Sequence, residues 1–551
     1  MSDDKQNTGK DLPMKIETIC GYGILKSKLD PKELRLLKKE LSVKPFVPPS
    51  APVKPKPFPV FAESPMRIWV PRAWGRERYG MPDVCKVTEG EDRRTGLRFN
   101  ADLREHQKDL LKDWNSVIKS TVPEGRILTV PCGYGKTVMS LWCASQVGRK
   151  TMVVVHKEFL MNQFRDEIMR FMPDAKIGKI QGDTVDVEDR DIVLVMLQSL
   201  IIREYPKNIF NGFGMVIFDE CHHLAAEVFS KALLMLGFWR ILGLSATPKR
   251  KDNLSNVFHW HIGGFLAKVE DRKQETVKVW CLHHKVDKRD EEYLTEPMMM
   301  NDHVSLPKLI TKVCERGDRT AILLELAKQF VKNEGRRVLI LSDRKSQLKW
   351  FFETLIRDPE LVYNVGYYIG GMKQKDLEVS ATKHIVLGTF AMASEGMNIP
   401  ALDTLIMASP KSDIIQSVGR ILRKRAEDRK VVPLVVDVVD PHMSLSRQFK
   451  RRKTVYRKYN YDIIDGEWNA KQQKFVRMKQ TGYSDDEDEG EIDNSTCCID
   501  DDDITTNTRT VTKTVKKTVT KTVKKDNTIT NMLTKMSNNK STVSECLISD
   551  D

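Results

Sequence analysis

LTVPCGYGKTVMSLW, residues 128–142, is the stretch that decides the fold. An apolar run ends at Val130, a glycine-rich turn follows, and an apolar helical pattern begins near Lys136. Strand, loop and helix in this order form the repeating unit of parallel α/β sheets. Similar short apolar runs occupy residues 126–130, 151–156, 191–197, 214–219 and 241–246. This alternation predicts buried parallel strands joined by helices between about residues 100 and 250.

A second series of apolar runs follows, at residues 336–342, 363–370, 384–390, 404–409 and 431–439. The sequence therefore predicts an α/β fold with two tandem parallel-sheet domains. The expected domains are an N-terminal accessory region with a Pro-rich linker (1–98), the first sheet domain (99–255), a connecting segment (256–305), the second sheet domain (306–470) and a tail (471–551). The tail holds an acidic block and then a Lys/Thr-rich repeat, which predict disorder. Near the N-terminus, LDPKELRLLKKEL (29–41) predicts a short helix with a proline near its start.

The charge of the chain favours a polyanionic partner. Net charge is +14, and residues 481–508 carry 11 acidic residues and no basic ones, so the rest is strongly basic. Such an excess favours DNA or RNA, with a basic but inert surface as the alternative. Ten cysteines without a C-x-x-C pair fit a reducing, intracellular compartment and predict no disulfides. The sequence also lacks a membrane-length apolar run and a secretory signal, so no membrane partner is expected.

The glycine-rich turn predicts a phosphate-binding loop. Its expected members are Pro131, Cys132, Gly133, Tyr134, Gly135, Lys136 and Thr137. The glycines let backbone N–H groups face phosphate, Lys136 can reach the β- and γ-phosphates of ATP, and Thr137 can bind Mg²⁺. The strict motif begins with glycine where this chain has Val130.

The stretch VIFDECHHLA, residues 216–225, carries two adjacent carboxylates at the end of a predicted strand. Asp219 is expected to hold Mg²⁺ opposite the phosphate loop, and Glu220 to orient or deprotonate the attacking water. A zinc site is the alternative, but adjacent strand residues point to opposite faces and converge poorly on one ion. His222 is therefore expected to hydrogen-bond across the nucleotide site. CLHH, residues 281–284, is likewise interpreted as strand rather than as a metal site.

Four further motifs identify a family. They are LREHQ (103–107), GLSATPKRKDNLSNVFHW (243–260), TFAMASEGMNIPALDTLIMASP (389–410) and QSVGRILRKR (416–425). Together with the phosphate loop and DECH, their order resembles that of the superfamily 2 helicases over about residues 95–445. VPRAWGRERYG (70–80) and the extension after Ser245 further resemble helicases of large nucleocytoplasmic DNA viruses, which include the poxvirus transcript-release helicase. The resemblance implies two tandem RecA-like domains.

The resemblance also assigns roles to individual residues. Adenine contacts are expected from Arg104 and Gln107. Coupling of ATP hydrolysis to movement is expected from Ser245, Thr247 and Gly396. Residues expected to face the γ-phosphate from the second domain are Gln416, Arg420 and Arg423. An arginine there would stabilise developing phosphoryl charge, whereas a solvated basic helix end is the alternative for RILRKR.

Nucleic-acid contacts are expected from residues at the ends of core strands: Lys157, Gln198, Ser199, Arg344 and Thr389. Helix capping is the alternative for Ser199 and Thr389. The predicted function is an ATP-dependent helicase or translocase in viral transcription or genome processing, with the transcription machinery as a further partner. If the chain is viral, its expected location is the virion or the host cytoplasm or nucleus. A duplex translocase without strand separation and an ATP-gated scaffold of a transcription complex are the alternatives.

Overall fold

The chain divides into two compact units at the boundary between residues 270 and 271. The computed structural model describes residues 12–47, 55–131, 133–222, 227–246, 254–269, 276–300, 303–395, 397–424 and 426–478. Almost all of the predicted disordered tail lies outside these residues. None of the described helices is long and apolar enough to cross a membrane.

The first unit begins with an N-terminal module, defined as the described residues 12–85. Its elements are β1 (Lys15–Thr18), β2 (Gly21–Leu25), α1 (Pro31–Glu40), β3 (Ser42–Val43), β4 (Phe58–Pro59), β5 (Ala62–Glu63), β6 (Arg67–Val70), α2 (Arg72–Tyr79) and β7 (Val84–Cys85). Five of the strands form a sheet in the order β5-β6-β2-β1-β7, and β3 pairs with β4. The predicted helix is confirmed as α1, whose first N–H groups are capped because Asp30 accepts a hydrogen bond from the Lys32 N–H at 3.0 Å.

A buried ionic cluster joins the module to the rest of the first unit. Glu17 is fully buried, with its carboxylate 2.6 Å from Arg72 Nε and 2.5 Å from Arg76 Nη2. Arg72 also donates to the carbonyls of Gly237 and Phe238, the latter at 2.8 Å. Because Glu17 and Arg72 are desolvated, each depends on the cluster for its partners, whereas Arg76 is partly exposed.

The large sheet of the first unit follows. Its elements are α3 (Glu105–Leu111), α4 (Trp114–Lys119), β8 (Glu124–Thr129), α5 (Lys136–Val147), β9 (Thr151–Val155), α6 (Glu158–Phe171), β10 (Ile177–Gln181), β11 (Thr184–Asp186), β12 (Ile192–Met196), α7 (Leu197–Ile202), β13 (Met215–Phe218), α8 (Glu227–Leu233), β14 (Arg240–Ser245), α9 (Ser255–Ile262) and β15 (Phe265–Lys268). The order is β11-β10-β12-β9-β13-β14-β8-β15. Every pairing is parallel except that of β10 with β11.

The second unit has a sheet of the same kind. Its elements are β16 (Lys278–His283), α10 (Glu291–Leu294), α11 (Leu306–Glu315), α12 (Gly317–Glu334), β17 (Val338–Leu341), α13 (Lys345–Leu355), β18 (Val365–Tyr368), α14 (Gln374–Ala381), β19 (Ile385–Gly388), α15 (Phe390–Glu395), β20 (Thr404–Met407), α16 (Ile415–Val418), β21 (Leu434–Val439), α17 (Met443–Lys458), β22 (Asp462–Asn469) and β23 (Lys474–Arg477). The order is β18-β19-β17-β20-β21-β16-β22-β23, parallel up to the antiparallel last pair.

The apolar runs explain these sheets. All residues of β9, β12 and β13 are buried, because helices cover both faces of a parallel sheet. The ten predicted strands are confirmed, as is the strand interpretation of CLHH, which lies at the end of β16. The tandem RecA-like fold class is thereby confirmed. Strands β10, β11, β15, β22 and β23 were not predicted.

Candidate functional site

The carboxyl ends of four strands meet at one edge of the first large sheet. In the strand registers, Ser245 of β14 pairs with Thr129 of β8, and Phe218 of β13 pairs with Val154 of β9. The Asp219 N–H donates to the Val154 carbonyl at 3.0 Å. Three separate motifs, the phosphate loop, DECH and SAT, are thus collected at one edge, where ligands of parallel sheets bind.

The loop after β8 has the backbone that a phosphate cradle requires. Gly133 and Gly135 have φ angles of +89° and +84°, in the left-handed region that favours glycine. Helix α5 begins immediately afterwards, at Lys136, and its N-terminal end supplies a positive field. Val130, where the strict motif has glycine, is fully buried and belongs to the core rather than to the cradle. Cys132 lies outside the described residues.

Helix α3 fixes the back of this loop through Gln107. The buried Gln107 amide accepts the Arg104 N–H at 3.0 Å and donates to the Tyr134 carbonyl at 2.9 Å. A Cβ on Gly135 would lie 2.6 Å from Gln107 Nε2, so glycine also permits this close packing. The side chain of Arg104 is exposed. The predicted adenine contacts of Arg104 and Gln107 stay predictions.

Lys136 and Glu220, 84 residues apart in sequence, form an ion pair with 2.7 Å between Nζ and Oε1. Glu220 has a φ of +46°, an uncommon conformation for a residue with a side chain. His222 Nδ1 lies 3.1 Å from Ser245 Oγ and 3.4 Å from Glu220 Oε2. The Glu220 carboxylate therefore sits between an ammonium group and an imidazole.

The second carboxylate of the site is that of Asp219, next to Glu220 in the sequence. The pKa of Asp219 is raised to about 7, first because the carboxyl group is buried and second because Glu220 is negatively charged, whereas the Lys136 ammonium lowers it. Two carboxylates thus share one ammonium group. A hard divalent cation fits this excess of negative charge. Asp219 and the Thr137 hydroxyl also supply oxygen donors of the kind that Mg²⁺ prefers. Among the described residues, no group of three or more His, Cys, Asp and Glu side chains could hold a metal ion, and His223 lies outside them.

Comparisons with known proteins identify the family of the chain. Residues 100–250 match the family "Type III restriction enzyme, res subunit", and residues 319–425 match "Helicase conserved C-terminal domain". The "Putative ATP-dependent RNA helicase L396" of Acanthamoeba polyphaga mimivirus is 33% identical over 454 residues, which cover 81% of this chain and 86% of that protein. The chain belongs to the superfamily 2 helicases. It is therefore an ATP-hydrolysing helicase, a class of enzyme that acts on nucleic acid.

Other viral proteins resemble this helicase more distantly. The "Putative ATP-dependent RNA helicase QP509L" of African swine fever virus is 25% identical, covering 62% of this chain and 70% of that protein. The "Putative helicase 161L" of Invertebrate iridescent virus 6 is 24% identical, and the match covers 66% of this chain and 82% of that protein. The crystal structure of T4 UvsW covers 80% of this chain and 97% of its own at 17% identity and a TM-score of 0.30, too low a score to support an argument.

In the second unit of the helicase, the predicted γ-phosphate residues lie on α16 and the turn after it. Arg420, in the 3-10 turn Gly419–Leu422, is buried and donates from Nη1 to the Met397 carbonyl at 2.9 Å. Gln416 and Arg423 are partly exposed. Thr247 and Gly396, the predicted coupling residues other than Ser245, lie outside the described residues.

The predicted nucleic-acid residues mostly hold local structure. In the first unit, Gln198 Nε2 donates to the His156 carbonyl at 2.7 Å, Ser199 Oγ accepts the Gly182 N–H at 3.0 Å, and Lys157 precedes α6 as its N-cap residue. Ser199 lies within α7, whose N-cap residue is Met196, so its hydrogen bond holds the turn at Gly182 and is not a helix cap.

The same holds in the second unit. Arg344 donates to Thr311 Oγ1 and to the Pro307 carbonyl, both at 2.8 Å, and Thr389 Oγ1 accepts the Met392 N–H at 3.4 Å. A further strand-end cation that was not predicted is Lys411, whose ammonium group lies 3.4 Å from the Asp343 carboxylate. Lys411 follows the run at 404–409, so the strand-end rule that selected Arg344 applied to Lys411 as well.

Proposed function

We propose that the chain binds Mg²⁺·ATP on the loop at residues 131–137 and uses its hydrolysis to move along nucleic acid. The observation that carries the proposal is the ion pair between Lys136 and Glu220, which lies beside the left-handed glycines of the loop. A lysine, a carboxylate and a backbone cradle are the groups that phosphoryl transfer to water requires.

Each residue of the site takes one task in this proposal. Lys136 binds the β- and γ-phosphates, while Thr137 and Asp219 hold Mg²⁺, which when bound neutralises phosphate charge. Glu220 accepts a proton from the attacking water. Arg420 and Arg423, with Gln416 beside them, supply positive charge to the γ-phosphate from the second unit.

Adenine contacts and coupling are assigned next. Arg104 and Gln107 are proposed to contact adenine. Their position at the start of α3, which the hydrogen bond from Gln107 to the Tyr134 carbonyl ties to the loop, supports this. His222 contacts both Glu220 and Ser245. A change in the charge or position of the Glu220 carboxylate would therefore alter the contacts of the SAT segment. Thr247 and Gly396 are proposed to act with Ser245.

The wider role proposed is transcript release or genome processing in a virus. The resemblance to viral proteins named as helicases supports helicase action in a virus, and the basic composition supports a polyanionic partner. Lys157, Gln198, Ser199, Arg344 and Thr389 remain the proposed backbone contacts. The transcription machinery is proposed as a partner, inside the infected cell or the virion. The proposed domain boundaries stay 1–98, 99–255, 256–305, 306–470 and 471–551.

Substitution of Lys136 tests the core of the proposal. Lys136→Ala should lower nucleic-acid-stimulated ATP hydrolysis by about 100-fold or more, because it removes a preorganised charge from the phosphates. The matched control is Lys179→Ala, at an exposed position on β10 of the same sheet, and it should leave the rate unchanged. An unchanged stimulated rate in Lys136→Ala would refute the site.

Two assays distinguish the alternatives. Strand displacement together with triplex displacement separates a helicase from a duplex translocase, which would displace only the third strand. Steady-state ATP turnover separates both from an ATP-gated scaffold, which would bind nucleotide without sustained hydrolysis.

A further inference from the structure

Helix α17 closes the second unit and is rigidly anchored by one face. Its buried residues are Leu445, Phe449, Arg452 and Tyr456, spaced as one helical stripe. Arg452 donates to both carboxylate oxygens of Asp437, at 2.8 and 2.9 Å, and to the Lys411 carbonyl at 2.8 Å. Tyr456 Oη donates to Asp437 at 2.9 Å. The buried bidentate pair fixes both the position of the helix and its rotation about its axis.

The opposite face of α17 is exposed and basic. We define the basic face of α17 as its exposed cationic residues: Arg447, Lys450, Arg451, Arg457 and Lys458. Arg447, Arg451 and Lys458 each follow a buried residue by two positions. At about 100° per residue, each is rotated about 200° from that buried residue and so lies on the opposite side of the helix. The helix contains no Asp or Glu. Its charges therefore form a line about 16 Å long, at 1.5 Å per residue from Arg447 to Lys458.

The composition of this face selects its partner. Met443, at the first position of the helix, is the only large apolar residue among the exposed residues of α17, all of which the structure describes. A protein partner would require an apolar centre, and sites for single strands typically add aromatic side chains on which bases stack, which the exposed residues of α17 do not supply. Phosphates of a double helix need only a line of charge.

We propose that the basic face of α17 binds the sugar–phosphate backbone of double-stranded nucleic acid, in addition to the strand contacts of the proposed function. The contact is independent of sequence, because lysine and arginine on a helix surface meet phosphates rather than base edges. It also lies outside the ATP site, so its failure would leave the proposed ATP chemistry untouched.

Salt titration of the full chain tests the proposal. The test variant carries Arg447→Gln, Lys450→Gln and Arg451→Gln together. The control carries Lys32→Gln, Arg35→Gln and Lys39→Gln on the exposed side of α1, with the same loss of charge. The probes are a blunt DNA duplex, a blunt RNA duplex and a single strand of equal length. For a bound duplex, the slope of log affinity against log salt should become shallower by about 2.7, at about 0.9 for each of three lost contacts.

The two duplex probes distinguish DNA from RNA as the source of the phosphates, and a reduced slope on either one supports the proposal. It is overturned if neither slope changes, if the α1 control changes the slope equally, or if the single strand loses as much as the duplexes. Basal ATP hydrolysis and the unfolding midpoint should stay at parental values. Should the triple variant unfold, the single variants Arg447→Gln and Lys450→Gln provide the second test, because each should make the duplex slope shallower by about 0.9, and an unchanged slope in both would overturn the proposal.

Discussion

Glu220 departs from what its position in the sequence suggests. If the extended backbone of β13 continued through Asp219 and Glu220, their side chains would point to opposite faces of the sheet. The left-handed backbone at Glu220, with φ of +46°, interrupts that alternation, and the carboxylate pairs with Lys136. This conformation costs roughly 1–2 kcal/mol for a residue with a Cβ. Backbone strain of this kind clusters at functional sites, where the surrounding structure maintains it.

Glu220→Gln is the sharpest substitution at the residue scale. Glutamine keeps the shape of the side chain but cannot accept the proton of water, so ATP turnover should fall by roughly 100- to 10,000-fold while ATP binding is retained. Turnover and nucleotide affinity should be measured on the same preparation. Glu204→Gln, at an exposed position of the first unit, is the matched control. Parallel loss of binding and turnover would contradict the role as a proton acceptor.

The sequence predicted which residues form this candidate site but not their geometry. Lys136, Asp219 and Glu220 were recognisable because phosphate chemistry requires those side chains after strands. The burial of Val130 and the hydrogen bond from Arg420 to the Met397 carbonyl were not predictable, because both depend on contacts between residues distant in sequence.

At the scale of elements, α3 packs closely against Gly135, the residue before α5. Gly135→Ala should destabilise the first unit more than Gly133→Ala, although both glycines have left-handed backbones. A Cβ at 133 meets open space, whereas a Cβ at 135 displaces the Gln107 amide from its hydrogen bonds. We expect a difference of about 1–2 kcal/mol, the cost of a lost buried hydrogen bond. Urea unfolding of both variants measures it, and equal losses would show that Gln107 moves freely.

Strands were predictable from the sequence where both of their faces are buried, but not where one face is exposed to solvent. Residues 192–196, IVLVM, are wholly apolar because β12 lies inside the sheet. Residues 177–181, IGKIQ, form β10 near the sheet edge, where Lys179 is exposed and Gly178 admits the neighbouring Asp186 carbonyl. Such a mixed stretch has no apolar run to detect, so its strand depends on its neighbours rather than on its own composition.

At the scale of the whole molecule, the N-terminal module is integral to the first unit. Glu17→Ala would leave Arg72 and Arg76 without their carboxylate in a buried setting, so we expect a loss of about 3–5 kcal/mol in unfolding free energy. Asp83→Ala, which removes an exposed partner of Lys15 from the same module, should cost under about 1 kcal/mol. Chemical denaturation of both variants checks the difference, and similar values would mean that the buried cluster contributes little.

The same cluster has a consequence for biosynthesis. The carbonyls of Gly237 and Phe238 that Arg72 binds follow it by 165 and 166 residues. At about 5–20 residues per second, the ribosome makes Arg72 roughly 8–33 s before those acceptors exist. During that interval a guanidinium group destined for the interior stays in water, and apolar residues of the module lack their final cover. The nascent helicase should therefore need chaperone protection until translation passes residue 238.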